Sequence, residues 1–101
     1  MMTIQKDNTN KSVSLNISGS FDYSCYQDFR KIYRYEEQQG IFFRINLSKV
    51  TYMDSSGLGM ILLLKEHTDK LSGKVIVEHP TDPVLKVLSL AKFEQHITIV
   101  H

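Results

Sequence analysis

The segment whose residues could best support binding or catalysis lies near the middle of the chain, where an aspartate precedes two serines and two glycines. Its residues are Asp54, Ser55, Ser56, Gly57, Leu58 and Gly59. Small residues at a helix start leave backbone N–H groups uncovered, and the helix dipole adds to their attraction for an anion. A serine there is also accessible to another protein. The purely structural interpretation is that Asp54 caps a helix and the glycines permit close packing, and the isolated segment favours it.

None of three known catalytic or nucleotide-binding motifs is complete in this segment. A nucleophile elbow has glycine two residues before and two residues after its serine, and Ser55 has Gly57 after it but Met53 before it. A dinucleotide-binding loop needs a third glycine where this chain has Leu62. No stretch supplies the pattern of a phosphate-binding P-loop. A hydrolase using Ser55 or Ser56, and a small-anion or nucleotide-binding module, therefore stay open beside an interaction protein.

The histidines and the cysteine do not suggest a metal centre. Four histidines are dispersed along the chain, and Cys25 is the single cysteine, so no group has the spacing of a zinc finger. A small apolar filler is the more common role of such a cysteine. We therefore predict neither a metal nor a cofactor.

The composition indicates one ordinary globular domain over residues 1–101. Hydrophobic residues make up 42% of the 101 residues and charged residues 23%, which is typical of a folded domain of this length. Twelve Lys and Arg against eleven Asp and Glu leave a formal net charge of +1, so no basic excess favours direct nucleic-acid binding. No apolar run approaches membrane-spanning length and no segment resembles a signal peptide. We expect a cytoplasmic protein without membrane contact.

Alternation of apolar and polar residues predicts the strands. The pattern is clearest where Val13, Leu15 and Ile17 alternate with polar residues, and it recurs in the segment that begins at Ile41. The five predicted strands cover residues 3–6, 12–18, 41–48, 74–78 and 97–100.

Apolar residues at helical spacing predict three helices, over residues 24–39, 54–70 and 82–91. Ser24 and Gln27 fit a capping box at the first start, and Gly40 is placed to end that helix. Asp54 is a suitable N-cap for the second helix, and Asp82 followed by proline starts the third. The predicted inner face of the second helix contains Leu58, Ile61, Leu62 and Lys65.

The resulting order is β-β-α-β-α-β-α-β, which predicts an α/β fold. Strands separated by helices need crossover connections, and these produce a largely parallel sheet. The first two strands are close enough in sequence to form an antiparallel hairpin, so the sheet is expected to be mixed. Because the strands alternate instead of being uniformly apolar, we expect helices to cover one face less fully than the other.

The sequence resembles a known family once residues 45–59 are taken together. This stretch, I-N-L-S-K-V-T-Y-M-D-S-S-G-L-G, looks like the signature of STAS domains, and specifically of bacterial anti-sigma factor antagonists. The turn at residues 19–22 (G-S-F-D) is similar to the family's Gly-x-Leu-Asp turn, and Pro83, Val84 and Leu88 match its last helix. The resemblance extends across nearly the whole chain and outweighs the purely structural interpretation.

The resemblance implies a small, non-catalytic switch protein without a cofactor. Members of the family bind a GHKL-type serine kinase, often one that is also the anti-sigma factor. That kinase phosphorylates the second serine of the D-S-S-G motif, here Ser56, and a PP2C-type phosphatase removes the phosphate. The unmodified form holds the partner and the phosphorylated form releases it. The implied partner-binding residues are Asp22, Asp54, Ser55, Ser56, Gly57 and Leu58.

The chain departs from the family pattern at a few positions. Asn46 stands where many relatives have Asp, and Ser20 replaces a residue that is commonly charged or long. Lys92 lies near a position that is often Gly, so it either avoids the left-handed conformation or destabilises the fold by about 1 kcal/mol. Many STAS proteins act outside sigma control, so a STAS regulator with another output is a further alternative.

Overall fold

All five strands join one mixed sheet in a computed structural model that describes residues 1–101. The strands are β1 (Met2–Asp7), β2 (Ser12–Phe21), β3 (Phe42–Met53), β4 (Lys74–Glu78) and β5 (Thr98–Val100). Their order across the sheet is β1-β2-β3-β4-β5. The hairpin of β1 and β2 is antiparallel, and the other neighbours are parallel. The predicted α/β fold with a mixed sheet is confirmed.

Three α-helices connect the parallel strands. They are α1 (Tyr26–Tyr33), α2 (Ser55–Lys70) and α3 (Asp82–Leu90), and two short 3-10 turns occupy Tyr23–Cys25 and Phe93–Gln95. Because crossovers between parallel strands are right-handed and the strands follow one another in order, the three helices lie on the same face of the sheet. None of the helices has both the length and the apolar composition needed to cross a bilayer.

The core lies between the helices and the covered face of the sheet. Alternate residues of the central strands point inward and are buried, namely Val13, Leu15, Ile17, Phe43, Ile45, Leu47, Val75 and Val77. The intervening side chains, such as Asn16, Arg44 and Ser48, lie on the open face. The expectation that one face is less covered is thus confirmed, and it follows from the period of two along each strand.

The prediction of a first helix over residues 24–39 was wrong at both ends. Asp22, not Ser24, caps the turn that precedes α1, because its Oδ1 accepts the Ser24 N–H at 3.0 Å. At the other end the chain leaves the helix after Tyr33. Glu36 holds the departing segment: its carboxylate accepts the Gln38 N–H at 3.1 Å and pairs with Lys6 at 3.0 Å. The contact with Gln38 is local and the contact with Lys6 joins distant parts of the chain, and both favour the observed path over a continued helix.

The third strand is longer than predicted, and the cause is an irregularity in its pairing with β2. The register shifts between Asn16 and Ser18 and again between Gly19 and Ser20. As a result Leu47, Val50 and Met53 are buried at a spacing of three residues. A strand predicted from alternation at a period of two therefore ends too early.

The inner face of α2 differs from the prediction. Ile61 is buried as expected, but Leu62 is 40% exposed, and Leu58 and Lys65 are half-buried. The buried residues are Gly57, Met60, Ile61, Leu64 and Thr68. Five consecutive apolar residues, 60–64, leave the orientation of this helix undefined by pattern alone.

Lys92 adopts the left-handed conformation, with φ 53° and ψ 40°. Its N–H donates to the Ser89 carbonyl at 3.0 Å, so it closes the end of α3 where glycine is usually preferred. The sequence left two possibilities for Lys92, and the structure shows the strained, left-handed conformation.

We predict that Lys92→Gly raises the free energy of unfolding by up to about 1 kcal/mol, because glycine reaches this conformation without a Cβ clash. Urea unfolding measures the change. Lys86→Gly is the matched control: Lys86 is exposed inside α3, and glycine there lowers stability by about 1 kcal/mol. Equal destabilisation by the two variants would contradict the role assigned to Lys92.

Candidate functional site

The candidate site lies where β2 and β3 end side by side. Phe21 and Met53 are paired at the last position of the two parallel strands, and an aspartate follows each of them. Carboxyl ends of parallel strands meet at one edge of a sheet, which is where α/β folds place their sites. Asp22 and Asp54 therefore leave the sheet as neighbours.

Asp54 organises the first turn of α2. Its backbone is extended, and its Oδ1 accepts the N–H groups of Ser56 at 3.0 Å and Gly57 at 3.3 Å. The same oxygen accepts the Ser56 hydroxyl at 2.5 Å. The predicted N-cap is confirmed, and the cap also holds the Ser56 hydroxyl in one direction. Ser56 is half-buried, whereas Ser55 is exposed.

These hydrogen bonds keep the site negatively charged. The hydrogen bond from Ser56 lowers the pKa of the Asp54 carboxyl below its ordinary value, burial opposes this, and the N–H groups of Gly57 and Ser56 add to the lowering. The anion also lies at the positive end of the α2 dipole. A partner that covers this helix start meets a carboxylate beside a serine hydroxyl.

Asp22 repeats the arrangement at the end of β2. Its Oδ1 accepts the N–H of Ser24 at 3.0 Å and the Ser24 hydroxyl at 2.6 Å, and its backbone is likewise extended. The site therefore contains two Asp-x-Ser caps, at residues 22–24 and 54–56. Sequence analysis missed the role of Ser24 by treating it as a helix cap, although the repeated Asp-x-Ser spacing was visible.

Gly57 allows the first turn of α2 to pack closely against the ends of β2 and β3. A Cβ at this position would lie 2.7 Å from the Phe21 carbonyl oxygen and 2.7 Å from Met53 Cγ. The first turn of α2 thus rests directly on the backbone that leads into Asp22. Gly59 has nothing within 4 Å of its would-be Cβ. Only the first of the two glycines is required by packing.

The geometry bears on two of the alternatives. An anion site at the start of α2 needs free N–H groups, but Asp54 already accepts from Ser56 and Gly57. A serine hydrolase of the usual kind needs an imidazole beside its nucleophile. The Ser56 hydroxyl donates to a carboxylate instead, while His67 is bound to the Glu36 carbonyl. Neither alternative gains support from these contacts.

The fold and the strand-to-helix motif together place the protein in a known class: the chain belongs to the STAS-domain family. The model of the STAS domain matches residues 2–101. A STAS-domain containing protein of Pseudomonas aeruginosa (strain UCBPP-PA14) is 33% identical over 85 residues, which are 84% of each chain. The resemblance inferred from residues 45–59 is confirmed.

Solved structures share the fold at low sequence identity. The anti-sigma factor antagonist SpoIIAA in its unphosphorylated form has a TM-score of 0.80 and 20% identity, covering 100% of this chain and 89% of that one. The phosphorylated form of SpoIIAA from Bacillus has a TM-score of 0.71 and 17% identity, covering 100% and 92%. A sulfate transporter family protein from Wolinella succinogenes has a TM-score of 0.76 and 15% identity, covering 90% and 78%. At these identities the likeness concerns the fold alone.

We predict opposite effects of alanine at the two glycines of the motif. Gly57→Ala lowers the free energy of unfolding by about 1–3 kcal/mol, because its Cβ collides with the Phe21 carbonyl and Met53. Gly59→Ala raises it by up to about 1 kcal/mol, because alanine is the better helix former and meets no neighbour. Chemical denaturation measures both. Stabilisation by Gly57→Ala would disprove the close packing of α2 on β2.

We further predict that Ser56→Ala raises the pKa of Asp54 towards its ordinary value, because the largest lowering contribution is lost. A carboxyl whose folded pKa is lowered stabilises the fold above its unfolded pKa, and this contribution disappears as pH falls through the folded pKa. The variant therefore loses less stability on acidification. NMR titration of the Asp54 carboxyl carbon measures the pKa, with Ser24→Ala as the control that leaves it unchanged. An unaltered Asp54 pKa in Ser56→Ala would contradict the geometry.

Proposed function

We propose that residues 1–101 act as one STAS domain that binds a protein partner and is switched by phosphorylation of Ser56. The observation that carries the proposal is the hydrogen bond from the Ser56 hydroxyl to Asp54. A carboxylate that accepts this hydrogen orients the serine oxygen and assists removal of its proton during phosphoryl transfer. Ser55 is more exposed but makes no side-chain hydrogen bond of this kind.

A phosphate on Ser56 changes the local charge much more than the fold. It adds a charge of about −1.5 to −2 and removes the hydroxyl donor that Asp54 accepts. Repulsion from Asp54 is partly offset by the dipole of α2, since both anions lie at its N-terminus. The phosphorylated chain is therefore expected to keep its fold.

The partner experiences the change at its contact surface. We propose that this surface consists of Asp22, Asp54, Ser55, Ser56, Gly57 and Leu58. A neutral hydroxyl at its centre becomes a hydrated dianion, and packing such a group against a carboxylate or an apolar surface is unfavourable. A loss of about 3 kcal/mol lowers affinity roughly 100-fold, which is enough to release the partner.

The proposed partners are a GHKL-type serine kinase that also acts as an anti-sigma factor, and a PP2C-type phosphatase. Support comes from membership in the STAS family and from the fold shared with SpoIIAA, whose structures represent unphosphorylated and phosphorylated forms. The proposed role needs no catalysis, cofactor, nucleic acid or membrane, and its setting is the cytoplasm. A sulfate transporter family protein shares the fold, so a STAS regulator whose output is not a sigma factor stays the alternative.

We predict that a GHKL-type serine kinase from the same genome, supplied with ATP, modifies Ser56. Ser56→Ala folds, resists modification and stays bound to the kinase. Ser56→Asp folds but binds about tenfold or more weakly, since one carboxylate only partly imitates a phosphate. Mass spectrometry locates the phosphate, and calorimetry measures the affinities.

Two matched variants serve as controls. Ser55→Ala removes the exposed neighbour, and Ser24→Ala removes the hydroxyl of the second Asp-x-Ser cap. Both should still be phosphorylated at Ser56. Phosphate found only on Ser55 or Ser24, or equal affinity of the Ser56→Ala and Ser56→Asp variants, would refute the proposed switch.

A further inference from the structure

A second surface lies beside the caps, between α1 and α2. We call it the α1–α2 groove. Its floor is formed by Tyr26, Tyr33 and Leu63, and its rim carries Arg30, Arg34 and Lys70. Leu63 is 45% exposed, so its side chain is accessible to a partner. The groove thus combines an accessible apolar floor with a cationic rim.

The cations of the rim have no carboxylate partners within the protein, although the Arg34 guanidinium lies over the Tyr35 ring, 4.6 Å from its centroid. The ion pairs of the structure are Lys6 with Glu36, Arg44 with Glu78, and Lys65 with Asp69. Arg30, Arg34 and Lys70 are exposed and belong to none of them. Glu66 is the only carboxylate among the groove residues, so the groove carries a formal charge of +2 with His67 neutral. The whole chain carries only +1, so positive charge is concentrated here.

The floor is held in place before any partner arrives. The Tyr33 ring packs against the His67 ring with centroids 5.4 Å apart. His67 Nε2 lies 2.8 Å from the Glu36 carbonyl oxygen, and because a carbonyl can only accept, this nitrogen carries the hydrogen. Tyr26 stacks on Tyr23 at 5.4 Å. A floor fixed in this way loses little entropy on binding.

The groove is continuous with the Ser56 site. Leu63, His67 and Lys70 follow Ser56 by 7, 11 and 14 residues, which places all four side chains on one stripe of α2. A protein that covers the start of α2 and continues along this stripe enters the groove.

We propose that the α1–α2 groove docks an acidic segment of the partner protein, with an apolar side chain on Leu63 and Tyr26 and carboxylates against Arg30, Arg34 and Lys70. The charge of the rim and the apolar floor support this occupant. The statement that the acidic segment belongs to the switched partner rests on the proposed function. The chemistry of the groove is independent of phosphorylation.

The direct test uses a synthetic probe with the isotope-labelled full chain. The probe is an amphipathic peptide of about 14 residues, four helical turns, with Glu on one face and Leu at helical spacing on the other. The expected result is a set of amide shift changes confined to α1 and the second half of α2. Binding weakens between about 50 mM and about 500 mM salt, because exposed charges are screened. A peptide with Lys in place of every Glu should not bind.

Charge reversal supplies the matched comparison. Arg30→Glu with Arg34→Glu should weaken probe binding at least about tenfold, whereas Lys74→Glu with Lys86→Glu makes the same change in net charge and should have less than about a twofold effect. All four side chains are exposed, so the variants should fold, which circular dichroism verifies. The Leu63→Ala variant removes the floor contact and should also weaken binding.

Several results would overturn the proposal. The acidic peptide could cause no shift changes, the Lys peptide could bind equally well, or the two charge reversals could have equal effects. The same shift changes could also appear with anionic phosphatidylglycerol vesicles and no peptide, or when the protein alone is concentrated. The last two would indicate a membrane or a second copy as the occupant. Peptide binding to the groove does not involve Ser56, so it can be observed even if phosphorylation of Ser56 proves not to release the partner. Conversely, the absence of an effect of the groove variants on peptide binding would not disprove the Ser56 switch.

Discussion

The carboxylate of Asp54 is the group on which the rest of the site depends. A single oxygen accepts two backbone N–H groups of the first turn of α2 and the hydroxyl of Ser56. It therefore starts the helix, fixes the serine and sets the charge of the surface at the same time. The position of this oxygen depends in turn on Gly57, because the first turn can rest on the end of β2 only where no Cβ intervenes.

The proposed covalent switch at Ser56 depends on the same carboxylate. The half-buried Ser56 side chain belongs to a hydrogen-bonded cap at the surface. A covalent change of its hydroxyl therefore alters the cap and the surface offered to a partner, and does not require the core to rearrange. Asp22 and Ser24 form a second cap of the same kind at the neighbouring strand end. The paired caps present two carboxylates and two hydroxyls along one edge of the sheet. The α1–α2 groove adds positive charge beside this edge, and a partner able to use both surfaces needs charges of both signs.

Much of the fold was predictable from the sequence because local signals agree with the final packing. Strict alternation over residues 12–18 of β2 and in the first half of β3 identified the covered face of the sheet, and the Asp54 cap identified the start of α2. The errors arose where packing or long-range polar contacts override the local sequence pattern. The end of β3 follows a shifted register, which buries Val50 and Met53 at a spacing of three. The end of α1 depends on contacts of Glu36 with Lys6 and His67, which come from distant parts of the chain.

For the candidate site, the sequence identified the segment that follows β3 and the family resemblance selected Ser56 within it. The role of Gly57 in packing against Phe21 was not visible, because it depends on which strand ends beside α2. The α1–α2 groove was missed for a related reason: five consecutive apolar residues hide which leucines face solvent. Their exposure is decided by the rotation of α2, and Gly57 and Leu64 set that rotation by facing the sheet.

The central claim is that modification of Ser56 changes the local charge and leaves the fold intact. The most direct test is a comparison of backbone amide chemical shifts between the unmodified chain and the chain phosphorylated at Ser56. We predict changes confined to the first turn of α2, Asp54 and the adjacent end of β2, with the strands of the sheet unaffected. Changes spread through β3, β4 and α3 would show that the phosphate acts by rearranging the fold, and would contradict an electrostatic switch at the surface.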